Sequence, residues 1–170
     1  MTDIRLFAPT DMHGQFRKDL ENLVEQVESE FIPPLSSRAS THDTSFAGVP
    51  DDLSIYLDNL CSQQTFIAYD PDPIGFFSFR PHWQDESIVA GDHHYISTLA
   101  VSPRARRTGL ASRMYEAFAQ VASGPVVVRT WSTNFGHTAL LERLGFVEIH
   151  RLSDHRAPGV DTVYFRRVYP

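Results

Sequence analysis

Between residues 16 and 31 the apolar positions are Phe16, Leu20, Leu23, Val24, Val27 and Phe31. Steps of three and four place them on one stripe of a helix, with polar residues opposite. Pro33 and Pro34 end that helix. Elsewhere the rhythm changes. Residues 4–7 (IRLF), 64–69 (QTFIAY), 74–79 (IGFFSF), 95–101 (YISTLAV) and 126–131 (VVVRTW) are short apolar runs between turn residues, and they read as strands. The run at 126–131 is nearly continuous, as expected of a strand buried on both faces. DPDP joins the second and third runs as a hairpin with a turn of four or five residues. Residues 146–151 and 162–168 pair as the last two strands. Residues 51–61 form a second helix with Asp51 or Asp52 as its cap. Residues 109–122 form a third, with Leu110, Met114, Phe118 and Val121 on one face, and Gly145 ends a short fourth at 138–144. The order β-α-α-β-β-β-α-β-α-β-β predicts a mixed α/β (α+β) chain, a single domain over residues 1–170. Residues 33–50 and 80–94 lack either period and read as irregular, and loops of that length are often functional.

Composition narrows the function. With 42% hydrophobic and 12% aromatic residues, the chain is globular and not disordered. Its net charge of -6 argues against nucleic acid as a partner, because general affinity for polyanions comes from Lys and Arg. The same charge suits a cationic substrate, although solubility explains it equally well. Cys61 is the single cysteine, so neither an internal disulfide nor a paired-cysteine metal motif is expected. The eight histidines are not spaced as a metal site, and the adjacent His93 and His94 point to opposite faces of a strand. The N-terminal MTDIRLFAPTD lacks a basic segment followed by an apolar run, and no stretch of about 18 apolar residues occurs. A soluble cytoplasmic protein with no membrane partner is the expectation.

The stretch SPRARRTGLASRMYEAF (102–118) carries the most specific chemistry. The first turn of its helix holds Gly109, Leu110, Ala111 and Ser112, with no acidic side chain. Helix-start N–H groups without a built-in counter-ion favour an anion. Gly109 and Ala111 leave room for one, and Arg104, Arg106 and Arg107 add positive charge. Cations at a helix start otherwise cost about 0.3–1 kcal/mol each, so three of them imply a pyrophosphate-like ligand. Neither G-x-x-x-x-G-K-[ST] nor G-x-G-x-x-G is present.

Arg106-Arg107-Thr108-Gly109-Leu110-Ala111 resembles the Q/R-x-x-G-x-G/A motif of the GCN5-related N-acetyltransferases (GNAT). Asn134 followed by Leu144-Gly145-Phe146 resembles that superfamily's N-x-x-A-x-x-x-Y-x-x-x-G-F element, with the Asn-to-Gly spacing preserved. The resemblance implies one mixed sheet of about seven strands flanked by about four helices, with two strands splayed at an acetyl-CoA site. It implies an enzyme that moves an acetyl group from acetyl-CoA to a primary amine by direct transfer in a ternary complex, with coenzyme A as product. It assigns the pantetheine arm to Leu99, Ala100 and Val101, and the pyrophosphate to Arg106, Arg107, Thr108, Gly109, Leu110, Ala111 and Ser112. It assigns a further cofactor contact to Asn134, whose independent reading is a helix cap. Many relatives dimerise, which makes a homodimer an expectation by analogy.

The match breaks at two positions. Leu141 stands where the family often has a tyrosine that protonates the departing thiolate, and His137 stands where alanine is usual. A thiol has a pKa near ~8.5, so the acid is dispensable at some cost in rate, typically 10²–10⁴-fold. Ser132, His137 and Tyr164 are the candidate donors. The acceptor amine, with a pKa near ~10.4, must lose a proton, directly or through water. No glutamate lies in residues 95–101. His94 ranks first as base, then His93, Asp92 and Glu86, with Ser97 and Thr98 able to order a relay water. The acceptor, a small-molecule, amino-acid, peptide or antibiotic amine, is assigned to segments 31–50, 80–94 and 153–161. These hold Phe31, Asp43, His82, Trp83, Asp85 and Asp161. Two alternatives stand: a non-catalytic acyl-CoA-binding module, and an RNA-directed acetyltransferase, which the charge disfavours.

Overall fold

A computed structural model describes residues 1–38, 40–41 and 53–170. Seven strands make one mixed sheet in the order β1-β2-β3-β4-β5-β7-β6. They are β1 (Asp3–Phe7), β2 (Gln64–Tyr69), β3 (Pro73–Asp85), β4 (Val89–Val101), β5 (Gly124–Trp131), β6 (Val147–Ala157) and β7 (Val160–Tyr169). The four helices are α1 (Gly14–Val27), α2 (Ser54–Cys61), α3 (Leu110–Ala119) and α4 (Phe135–Arg143). The element order is the expected one. Contacts divide the chain into two units, Met1–Phe79 with Ser97–Phe118, and Arg80–Ile96 with Ala119–Pro170.

In the first unit, β1 pairs antiparallel with β2 and β2 with β3. The apolar stripe of α1 is buried as its spacing predicts. Leu20, Leu23, Val24 and Val27 share a core with Tyr56, Leu57 and Leu60 of α2 and with Ile67, Phe76 and Ala100 of the sheet. Each leucine, valine, isoleucine and phenylalanine among them contributes about 1.5–3 kcal/mol by leaving water. The α3 side is aromatic: Phe77 meets Tyr115 edge-on at 5.1 Å, and Phe79 meets Phe118 at 4.9 Å. Gly75 is required by space. A Cβ there would lie 2.9 Å from the Ala100 carbonyl oxygen, 3.1 Å from Met114 Cε and 3.2 Å from Leu110 Cδ2. Its bare backbone lets the start of α3 settle on β3 and β4.

In the second unit, β4 and β5 run parallel with His94 opposite Val126, Tyr95 opposite Val127 and Ile96 opposite Val128. β7 pairs antiparallel with both β5 and β6. Val126, Val127 and Val128 are at most 1% exposed, which confirms a strand covered on both faces. Tyr95, Val127 and Tyr164 form a second core, joined by Trp83, Ile88, Val89 and Leu152. Trp83 stacks on Tyr95 at 4.7 Å.

Several boundaries differ from expectation. Most of residues 80–94 is strand and not irregular loop, because β3 continues to Asp85 and β4 begins at Val89. Trp83 and Val89 pack onto Tyr95, and this tertiary burial overrides the breakers Pro81 and Gly91. The β2–β3 turn is shorter than expected, with Asp70 N–H donating to the Asp72 carbonyl at 2.8 Å. The expected caps Asp51 and Asp52, and most of the 33–50 loop with Asp43, lie outside the described residues. Among the described residues, no helix is long and apolar enough to cross a membrane.

Candidate functional site

The residues expected to seat a phosphate, 104–112, belong to the first unit. After β4 the chain makes a 3-10 turn, Pro103–Ala105, and Thr108 Oγ1 closes onto the Ala105 carbonyl at 2.7 Å. Arg107 has φ 63° and Gly109 φ 78°. The left-handed conformation costs an L-residue roughly 1–2 kcal/mol, and glycine nothing comparable. Consecutive N–H groups on such a turn form an anion-binding concavity. It leads into the acid-free first turn of α3. These residues fit the pyrophosphate of a CoA thioester: free helix-start donors, small side chains and exposed positive charge.

The three arginines are not equivalent. Arg104 lies 3.7 Å from Asp72. Arg106 Nη2 donates to both Glu30 carboxylate oxygens at 2.7 and 2.9 Å, and its Nε donates to the Val101 carbonyl at 3.2 Å. Exposed Arg107 forms no ion pair among the described residues. At the end of β4, Ala100 is buried and Leu99 and Val101 are partly buried. Ser97 and Thr98 do not suit a relay water. Thr98 shares a 2.6 Å buried hydrogen bond with the Tyr56 hydroxyl, and Ser97 Oγ donates to Gln63 Oε1 at 2.5 Å.

The remaining candidates belong to the second unit. His93 is 2% exposed with both ring nitrogens engaged. Its Nδ1 meets the Gly91 carbonyl at 3.0 Å, so Nδ1 donates. Its Nε2 then accepts from Arg166 Nε at 3.2 Å, which commits the lone pair a base would use. His94 is partly buried on β4. Asp92 accepts from His82 Nδ1 at 2.8 Å, and that bond holds its carboxyl below the usual range. Asp85 and Glu86 fix the β3–β4 turn through Ser87 and the Gly91 N–H. Ser132 joins β5 to β7: its N–H donates to the Asp161 carbonyl at 3.0 Å and its Oγ accepts from Asp161 N–H at 2.9 Å. Tyr164 is buried beside Tyr95 and Val127.

Asn134 caps α4. Its Oδ1 accepts from His137 N–H at 3.4 Å, while its Nδ2 donates to Thr130 Oγ1 at 3.3 Å. His137 Nδ1 lies 3.2 Å from the same Thr130 hydroxyl. Burial pushes the His137 ring down to about 4, so it is neutral near pH 7 and has no imidazolium proton to give a thiolate. Leu141, one turn along the same helix face, is 0% exposed. Sequence reasoning missed Glu30, Gly75, Gln63 and Tyr56. Their partners lie 25 to 76 positions away, beyond the reach of local pattern.

Among the described residues, no group of three or more His, Cys, Asp or Glu is placed to hold a metal ion. The acetyltransferase (GNAT) family model matches residues 25–146. A search of curated proteins finds no match. The chain resembles a solved structure from Desulfovibrio desulfuricans assigned to the GNAT family, with TM-score 0.69, 14% identity and all of both chains covered. It also resembles the ribosomal-protein-S18-alanine N-acetyltransferase of Escherichia coli, with TM-score 0.66, 13% identity, and 99% of this chain and 94% of that one covered. A third likeness is to a Bacillus anthracis protein solved in complex with acetyl coenzyme A, with TM-score 0.53, 19% identity, and 63% and 62% covered. At these identities the likeness establishes the fold.

Proposed function

The chain belongs to the GNAT acetyltransferase family, and on that premise we propose that it is an acetyl-CoA-dependent N-acetyltransferase acting on a primary amine by direct transfer. The observation that carries this reading is the Arg107–Gly109 turn feeding the acid-free start of α3. Bound there, acetyl-CoA supplies a thioester carbonyl that an amine nitrogen attacks. The N–H groups of Thr108 to Ser112 and the Ser112 hydroxyl hold the pyrophosphate, and Leu99, Ala100 and Val101 offer strand backbone to the pantetheine amides. Asn134 orients a further polar group of the arm while it caps α4.

His94 takes the acceptor's proton in this reading. It ranks above His93, whose lone pair is tied to Arg166, and above Asp92, whose carboxylate is already stabilised by His82. Ser132 and Tyr164 remain the hydroxyl donors for the leaving thiolate. The acceptor is an amine of a small molecule, amino acid, peptide or antibiotic. The Escherichia coli enzyme's alanine substrate lends weight to a peptide N-terminus.

One observation favours a second reading, a non-catalytic acyl-CoA binder. Leu141 puts a buried aliphatic side chain where the resembling pattern has a hydroxyl. Calorimetric titration with acetyl-CoA, followed by a thiol-release screen against polyamines, amino acids, aminoglycosides and peptide N-termini, separates the two. Binding with turnover on one class supports the enzyme, and binding with none supports the binder. Absence of binding sinks both. His94→Ala should lower kcat and remove the alkaline-rising limb of its pH profile. An unchanged profile discards His94 as base.

A further inference from the structure

Resting on the CoA reading, we propose that Glu30 is a positioning residue that commits Arg106 to structure, leaving Arg107 as the phosphate-binding cation of the loop. Glu30 lies in the 3-10 turn Glu28–Glu30 that follows α1. Glu28 of that turn accepts from Ser36 Oγ at 3.1 Å, so a second contact anchors it. Both Glu30 oxygens receive Arg106 Nη2, and Arg106 Nε is spent on the Val101 carbonyl. A guanidinium already neutralised by a carboxylate offers little net attraction to a phosphate. A phosphate drawn to it would also meet the Glu30 charge. Arg106 therefore ties the end of β4 to the turn after α1.

Arg107 has the opposite profile. It is exposed, forms no ion pair among the described residues, and follows directly on the tethered residue. It also sits at φ 63°, where an arginine is less stable than glycine. Strain at a ligand loop points to use of the strained residue. Here only the side chain distinguishes arginine from the glycine that the backbone prefers. The fixed backbone aims Arg107 from the same turn whose N–H groups cup the anion.

The test measures CoA and dephospho-CoA affinity by calorimetry at low and high salt, with thermal midpoints, for Glu30→Gln, Arg106→Gln, their double variant, Arg107→Gln and Arg107→Gly. Arg107→Gln should weaken CoA about tenfold at low salt, and less at high salt. Arg107→Gly should lose affinity equally while its midpoint rises, since the backbone strain goes with the side chain. Glu30→Gln and Arg106→Gln should each lower the midpoint, and the double variant no further than the worse single one, as expected of a coupled pair. Their CoA affinities should stay within about threefold of wild type, because neither removes the phosphate-facing charge. A loss shared by dephospho-CoA assigns Arg107 to the pyrophosphate, and a loss confined to CoA assigns it to the 3′-phosphate. Both outcomes support the proposal. Wild-type affinity in Arg107→Gly, a larger loss in Arg106→Gln than in Arg107→Gln, or additive midpoints for Glu30 and Arg106 would overturn it. If the wild-type protein binds no CoA, the functional reading falls, and Arg107's role with it. Reversed arginine effects in a protein that binds CoA overturn this inference alone.

Discussion

Position 141 holds a fully buried leucine where the resembling motif has a tyrosine. Restoring the tyrosine should not restore an acid. The added ring atoms must enter a filled space, which typically costs 1–3 kcal/mol, and a buried hydroxyl lacking a partner costs more. Leu141→Tyr is expected to lower the urea midpoint with no gain in kcat, and a several-fold gain would mean that the site is looser than its burial indicates. His137 titrates low for the same reason of burial. Its unfolded value is 6.5 and its folded value about 4. The unfolded chain therefore binds the proton first, and stability is full above 6.5 and lost as pH falls toward 4. Thermal midpoints between pH 7 and 5 should fall more steeply for wild type than for His137→Gln. Equal slopes would remove His137 from the acid response.

Among the elements, the start of α3 packs closely on a glycine of β3. Gly75 of β3 lies where a Cβ would strike the Ala100 carbonyl at 2.9 Å, a backbone atom that cannot rotate away. Gly75→Ala should shift β4 or α3, cost about 1–3 kcal/mol in urea unfolding, and raise KM for acetyl-CoA more than it lowers kcat. A variant with wild-type KM would show that the anion seat tolerates movement of its supporting strand. This contact also marks the limit of the sequence. The turn from Arg106 to Ser112 was readable because its small residues, basic residues and helix start are contiguous. The stripe of α1 and the run of β5 were readable because their periods are local. The strand character of 80–94 was not, since Trp83 is partly buried by stacking on Tyr95, 12 residues away. The tie between Arg106 and Glu30 was not readable either, because 76 positions separate them. Local pattern thus reaches the contiguous turn from Arg106 to Ser112, whereas the pairing of Arg106 with Glu30 appears only in the fold.

For the whole molecule, the seat and its reporters fall in different units. Residues 106–112 lie in the first, whereas both tryptophans, Trp83 and Trp131, lie in the second. β3, β4 and α3 each contribute residues to both units, so neither owns a complete set of its own elements. A chain so divided is expected to unfold in one cooperative step. Under that expectation, a ligand held only at the seat stabilises every part of the chain equally. Acetyl-CoA at 100 times its Kd should add about 2.7 kcal/mol to the unfolding free energy. Tryptophan fluorescence should report the same shift in urea midpoint as far-UV circular dichroism, which is weighted toward the helices of the first unit. A shift seen by circular dichroism alone would mean that the two units unfold separately. In that case the effects of Gly75→Ala and of the Arg106 and Arg107 variants should be confined to the first unit's transition, with the fluorescence midpoint unmoved.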